Sequence, residues 1–261
     1  MSEESRIAVF VDYENLALGV RDKSSPFQVE LVLNRLLEKG RIVFKRAYCD
    51  WRNYQQATRE LHLLGIELVD IPQTRTSGKN SADIHMVVDA VDLCYSKQHI
   101  DTFALVTGDS DFSPLASKLK ENDKRVVGCG VRDSTSDLLI RSCDEFIYYD
   151  VLADASRKAV SARKSETKRK TKGGQTVRRE DRQEEAVDKL VQVVASLEAD
   201  YDPLWGSLVK QTLRRVDPGF HERNYGYKSF TDLMEEAAAA GLLDLEYDDQ
   251  RGNFKVSLRA D

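Results

Sequence analysis

Short apolar runs alternate with helical spacings along the first 150 residues. Residues 7–11 are continuously apolar and lead into Asp12-Tyr13-Glu14-Asn15. Between 27 and 37, apolar side chains at 29, 32, 33, 36 and 37 mark one helical face, closed by Gly40. Residues 42–49 predict a second strand, 53–64 a helix stopped by Gly65, and 66–71 a third strand ending at Pro72. A polar stretch, 73–81, precedes a helix predicted over 82–95 with Ile84, Val87, Val88, Val91 and Tyr95 as its apolar face. A fourth strand at 103–106 gives way to a helix reaching Lys120, with Pro114 early in it. A fifth strand at 125–129, a short helix around Leu138 and a sixth strand at 146–149 complete the pattern. Strands alternating with helices predict a parallel α/β sheet covered on both faces.

The pattern changes near residue 154. Residues 155–182 lack aromatics and read as a flexible basic tether. From Arg182, Ala186, Val187, Leu190, Val193, Val194 and Leu197 outline an amphipathic helix. A second helix follows Trp205, carrying Leu208, Leu213 and Val216, and Pro218-Gly219 breaks it. A third spans 231–240, ended by Gly241, and 242–247 and 253–258 form a hairpin around residues 248–252. Three helices and a hairpin describe a small α+β winged-helix domain. The expected organisation is therefore an α/β domain over 1–153, a basic linker over 154–182 and the winged helix over 183–261.

Composition and charge narrow the function. At 41% hydrophobic and 32% charged, the chain has the balance of a soluble globular protein. No run approaches a membrane span, and the start, Met-Ser-Glu-Glu-Ser-Arg, lacks the basic-then-apolar pattern of a signal peptide. Cys49, Cys94, Cys129 and Cys143 match neither a zinc knuckle nor a disulfide framework. Reduced core thiols, a cytoplasmic setting and no membrane partner are the expectations. The net charge of -5 is unevenly distributed: residues 154–182 hold 11 basic and 4 acidic side chains, whereas 183–261 hold 9 basic and 16 acidic. That local excess of cations can attract nucleic acid despite the acidic total.

Neither a Gly-x-Gly-x-x-Gly turn nor a Gly-x-x-x-x-Gly-Lys-Ser/Thr loop follows the strands, which argues against a dinucleotide cofactor or a P-loop ATPase. Carboxylates stand there instead. Asp12 ends the first strand, and Asp109, Ser110 and Asp111 follow Thr107-Gly108 at the end of the fourth. Two carboxylates so close resist burial together unless a cation or a base faces them. Such a set can hold Mg²⁺ or Mn²⁺, which then binds phosphate. A plainer reading makes Asp109 a helix cap and Asp111 a first-turn charge.

Asp83 opens the 82–95 helix beside Lys79, Asn80 and Ser81, either as a ligand or as a helix-end charge. Asp89 lies about 600° around and about 9 Å along the helix from it, too far to share its face, so Asp89 is supporting or structural. Asn15 can orient Asp12 or meet substrate, and Thr107, Ser110 and Lys79 offer polar contacts to a phosphate. Thr107 and Ser110 can equally close the strand-to-helix turn. His62, His85, His99 and His221 show no metal-ligand spacing.

Residues 11–15, residues 79–83 on to Asp89, and Thr107-Gly108-Asp109-Ser110-Asp111-Phe112-Ser113-Pro114-Leu115 resemble the NYN family of PIN-like nucleases, its bacterial LabA-like branch in particular. Residues 134–139 and 143–146 extend the similarity across 6–150. It implies a Rossmann-like fold and metal-dependent cleavage of RNA phosphodiester bonds. Asp12, Asp83, Asp109 and Asp111 fall on the family's acidic positions as catalytic and metal-holding residues, with Asn15 and Asp89 matching less well-defined ones. Residues 204–258, chiefly Tyr225-Gly226-Tyr227-Lys228-Ser229-Phe230, resemble the OST-HTH or LOTUS domain. That resemblance implies RNA binding or protein docking.

The expectation is a divalent-metal-dependent endoribonuclease using Mg²⁺ or Mn²⁺. RNA would be held by Lys168, Arg169, Lys170 and Lys172 of the tether and by Tyr225, Tyr227 and Lys228. Tyr225 and Tyr227 can also simply pack around the glycine turn. The competing readings are a non-catalytic RNA-binding adaptor on a nuclease-like fold, a DNA nuclease, and a winged helix that docks a protein. A phosphatase would want Asp-x-Asp at the first strand, where this chain has Asp12-Tyr13-Glu14.

Overall fold

The computed structural model describes residues 4–20, 26–72, 81–157, 177–198 and 200–259. The chain divides into two compact units, residues 1–162 and 163–261.

In the first unit the strands are β1 (Arg6–Asp12), β2 (Arg41–Cys49), β3 (Glu67–Asp70), β4 (Thr102–Val106), β5 (Arg125–Gly130) and β6 (Glu145–Tyr148). The helices are α1 (Tyr13–Gly19), α2 (Val29–Lys39), α3 (Gln55–Leu63), α4 (Ser81–Ser96), α5 (Ser113–Glu121), α6 (Asp137–Ser142) and α7 (149–157). All neighbouring strands are parallel, in the order β3-β2-β1-β4-β5-β6. β1 alternates its side chains between two cores. Ile7, Val9 and Val11 pack with Val32, Leu36 and Leu61, while Ala8 and Phe10 pack with Met86, Leu115 and Leu139. The expected doubly wound sheet is therefore present. α1 is an element the sequence pattern did not give: Asp12 caps it by accepting from Asn15 N.

α4 is helical where expected, and Val87 and Val91 of its expected face pack on the core, but the helix is rotated so that the rest of that face points outward. Met86, Ala90 and Cys94 are buried, whereas Ile84, Val88 and Tyr95 are more than half exposed. Asp89 explains the rotation. Its Oδ2 accepts from Arg46 Nη1 and from Tyr48 Oη of β2, both at 2.7 Å, which turns this acid toward the sheet and the 84/88/95 stripe away. Arg46 also pairs with Glu67 of β3 at 2.8 Å.

The second unit holds α8 (Val177–Glu198), α9 (Gly206–Val216), α10 (Phe230–Ala239) and an antiparallel hairpin, β7 (Leu243–Asp248) and β8 (Asn253–Leu258). α8 begins six residues before the expected domain start at 183, so the end of the basic stretch is helical. Leu190, Val194, Leu213, Phe220, Phe230, Leu233 and Val256 share one core. A reciprocal Ser229–Asp232 capping box starts α10. This is a winged-helix-like module. Among the described residues, no helix is long and apolar enough to cross a membrane.

Candidate active site

In a sheet of this order the strand sequence reverses direction between β1 and β4, and the crevice beyond their C-terminal ends is where such folds take ligands. Val11 pairs with Val106, so Asp12 and Thr107 leave the sheet side by side. Asp12 Oδ1 accepts from Asn15 N at 3.2 Å, and Oδ2 accepts from Thr107 Oγ1 at 3.0 Å. The Thr107 oxygen in turn accepts from Asp109 N at 3.2 Å. Asn15 Oδ1 accepts from Gly108 N at 2.9 Å, tying α1 to the loop after β4. Gly108 makes a close approach there: a Cβ would lie 3.0 Å from Ser134 O and Thr135 Oγ1, and the loop after β5 would have to give way to it.

Asp109 Oδ1 accepts from Asp111 N at 3.0 Å and starts the turn Ser110–Phe112. Its cap role is therefore real, and it coexists with a position beside Asp12. Pro114 sits in the first turn of α5, where its missing N–H costs no helix bond. Asp83 approaches from the first turn of α4.

Burial raises the Asp12 carboxyl to about 7, and the charges of Asp83 and Asp109 push in the same direction against its two hydrogen bonds. Asp83 rises to about 6, through desolvation first and then the charges of Asp109, Asp111 and Glu14. The charged neighbours acting on both acids are thus carboxylates. A cluster of oxygen ligands that destabilise one another's ionised forms suits a hard divalent cation such as Mg²⁺ or Mn²⁺. The residues therefore fit that group, although among the described residues no three His, Cys, Asp or Glu side chains are drawn together closely enough to grip an ion as they stand.

The structure puts the charges of Asp83 and Asp109 on Asp12 and those of Asp109 and Asp111 on Asp83, with Ser110 half-buried next to Asp109 in the chain. It adds Glu14, whose signal was its place in the run after β1. Of its two expected roles Thr107 takes the turn-closing one: it is fully buried, its hydroxyl proton goes to Asp12 and its oxygen accepts from Asp109 N. Asn15 likewise holds the loop through its amide oxygen. Asp89 belongs to the Arg46–Tyr48 network and not to this cluster. Lys79 lies outside the described residues, as do Lys168, Arg169, Lys170 and Lys172.

A family model of the NYN domain matches residues 6–152, more than half of the chain. The chain belongs to the NYN family. An OST-HTH/LOTUS domain follows the NYN domain, matched over residues 182–251. An uncharacterized protein of Methanocaldococcus jannaschii is 31% identical over 144 residues, 55% of each chain, so the chain spans about half the length of this curated relative. A solved protein of unknown function from Vibrio parahaemolyticus is 26% identical and superposes with a TM-score of 0.50, covering 57% of this chain and 94% of its own. Each match covers about as much of this chain as the NYN model does.

In the OST-HTH/LOTUS domain, two residues expected at an RNA surface turn inward. Tyr227 is buried, and its hydroxyl donates to Gln183 O at 3.4 Å. Tyr225 stacks on Phe220 with ring centres 5.0 Å apart and meets Lys189 Nζ at 2.9 Å. The Gly226 φ of 93° makes the turn that folds both rings back. Lys228 remains exposed.

Proposed function

We propose that this protein is a divalent-metal-dependent ribonuclease, with the acidic cluster of its NYN domain as the cleaving site and its C-terminal module holding RNA. The observation that carries the reading is the gathering of acids at the β1–β4 crevice, where burial first and then neighbouring carboxylates raise Asp12, at the end of β1, and Asp83, in the first turn of α4. Asp12, Asp83 and Asp109 would hold Mg²⁺ or Mn²⁺, with Asp111 at the rim. Such an ion neutralises phosphoryl charge and makes water a stronger nucleophile at neutral pH. The chain's own residues set the stage: Thr107 and Asn15 N fix both oxygens of Asp12, and Asn15 Oδ1 holds the Gly108 loop. Ser110, half-buried next to Asp109, would contact a phosphate oxygen.

The second reading is an RNA-binding adaptor. It is favoured by the intramolecular work of the acids, since both Asp12 oxygens and one Asp109 oxygen already accept bonds within the fold. Cleavage of labelled single-stranded RNA, structured RNA and matched DNA with Mn²⁺, Mg²⁺ or EDTA separates the two. Metal-dependent RNA products, lost in Asp12→Asn and Asp109→Asn, support the nuclease. Tight RNA binding without cleavage under every metal leaves the adaptor.

A further inference from the structure

Within the C-terminal unit, the helix that helix-turn-helix relatives would set into a duplex groove has the wrong charge for it. α10 carries Asp232, Glu235 and Glu236 and no lysine or arginine over Phe230–Ala239, and both glutamates are exposed. Carboxylates there oppose a phosphate backbone.

Cations gather on another face. On α9, Ser207, Lys210, Gln211 and Arg214 have the spacing of a single helical stripe. Lys210 and Arg214 both reach the buried Glu222, at 3.6 and 3.2 Å, so two cations stand over one acid. Asn253 Nδ2 donates to Ser207 Oγ at 2.9 Å and joins this stripe to the hairpin. Trp205 bridges Lys255 as an antiparallel neighbour, which puts the two side chains on one side of the wing. The Arg251 guanidinium lies 4.8 Å from the Trp205 ring centre. Lys255 meets Glu246 at 3.2 Å, the carboxylate bordering this side.

We propose that the module takes single-stranded RNA on this α9–wing face, with the Trp205–Arg251 stack as the platform for a base. Lys210, Arg214 and Lys255 then follow the phosphates. An indole and a guanidinium plane each accept the face of any unpaired base, whereas a paired base keeps its faces inside its own stack. The inference rests on the reading of the module as the RNA-holding part of a nuclease. It moves the contact away from Tyr225 and Tyr227, whose rings are committed to packing.

The chain has two tryptophans, and Trp51 is buried at 7% exposure in the first unit, so Trp205 is the one positioned to report. Full-length protein in EDTA would be titrated with a short single-stranded RNA of mixed sequence. Tryptophan emission and, with a labelled strand, anisotropy would be read together. The expected result is quenching that disappears in Trp205→Phe, with binding weakened at least about fivefold in Arg251→Ala and unchanged in Glu235→Ala. Binding with unaltered emission and wild-type affinity for Arg251→Ala overturns this face while leaving RNA binding in place. A full-length protein that binds no RNA overturns both, and a protein partner then becomes the occupant to seek.

Discussion

Asp83 and Asp89 sit on the same helix, six positions apart, and live in opposite surroundings. Asp83 faces Asp109, Asp111 and Glu14, and its carboxyl is raised to about 6. Asp89 faces Arg46 and Tyr48, each 2.7 Å from one oxygen. One carboxylate has acids for neighbours, and the other is supplied with a cation by β2. Helix periodicity separates the two faces, and the strands then decide their chemistry: the end of β4 brings acids, the middle of β2 brings a guanidinium. The partner set, more than the residue type, distinguishes a site residue from a brace.

Exchanging the two charges one at a time gives the largest expected effect. If the proposed site holds its ion through Asp83, Asp83→Asn should lower RNA cleavage at least about a hundredfold, because a ligand position loses more than the supporting partners of a metal site do. Asp89→Asn should stay within about threefold of wild type, since Oδ1 can still accept from one of its partners. Initial rates with Mn²⁺ on one RNA measure both. Comparable losses in the two variants would erase the distinction between the two acids.

The cluster's cost should also appear as a pH dependence of the metal-free protein. Asp12 goes from 3.8 to about 7 in the fold, so between about pH 4 and 7 the native state keeps a proton that the unfolded chain has released. Stability therefore falls as pH rises through that window. At pH 8 without metal, Asp12→Asn should melt above wild type by as much as about 4 kcal/mol, with the difference vanishing near pH 4. Added Mg²⁺ should stabilise wild type more at pH 8 than at pH 5. Thermal melts of both proteins across pH check this, and parallel curves would show that Asp12 ionises normally.

The brace should register in stability and leave chemistry alone. Asp89→Ala deprives Arg46 and Tyr48 of a shared acceptor in a pair about a quarter to a third exposed, so about 1–2 kcal/mol is expected after solvent screening. The melting point of the first unit should drop by roughly 3–6 °C. Unchanged melting with impaired cleavage would return Asp89 to the active site.

Periodicity made the six strands, the sheet class and the hairpin legible, because runs such as 7–11 and 103–106 are buried on both faces and read as continuous apolar stretches. Carboxylates at strand ends made Asp12 and Asp109 legible for the same reason: where an apolar run stops, the chain enters the crevice. Orientation was harder to read. The exposed face of α4 is as apolar as its buried one, so hydrophobicity could not choose between Val88 and Ala90. The Asp89–Arg46 pair chose, across 43 positions of sequence. Tyr225 and Tyr227 were ambiguous in the same way, since an aromatic-glycine-aromatic run looks alike whether its rings face solvent or, as the left-handed Gly226 arranges, the core.

The finest division between site and brace runs through Thr107, which touches the acids without being one. Its hydroxyl donates to Asp12 and accepts from Asp109 N, so it sets the spacing of the two strand-end carboxylates. Thr107→Ser keeps both bonds and should cleave RNA near the wild-type rate, at a small packing cost from the lost methyl. Thr107→Val keeps the shape in a fully buried position but removes the hydroxyl, leaving Asp12 Oδ2 and Asp109 N without it. About a tenfold loss of cleavage is expected, the scale seen when a residue supporting a metal ligand is removed. Comparing the rates of the two variants at saturating Mn²⁺ isolates the hydroxyl from the volume. If Val and Ser behave alike, the bond from Thr107 to Asp12 serves the fold alone, and the boundary between brace and site moves inward to the carboxylates themselves.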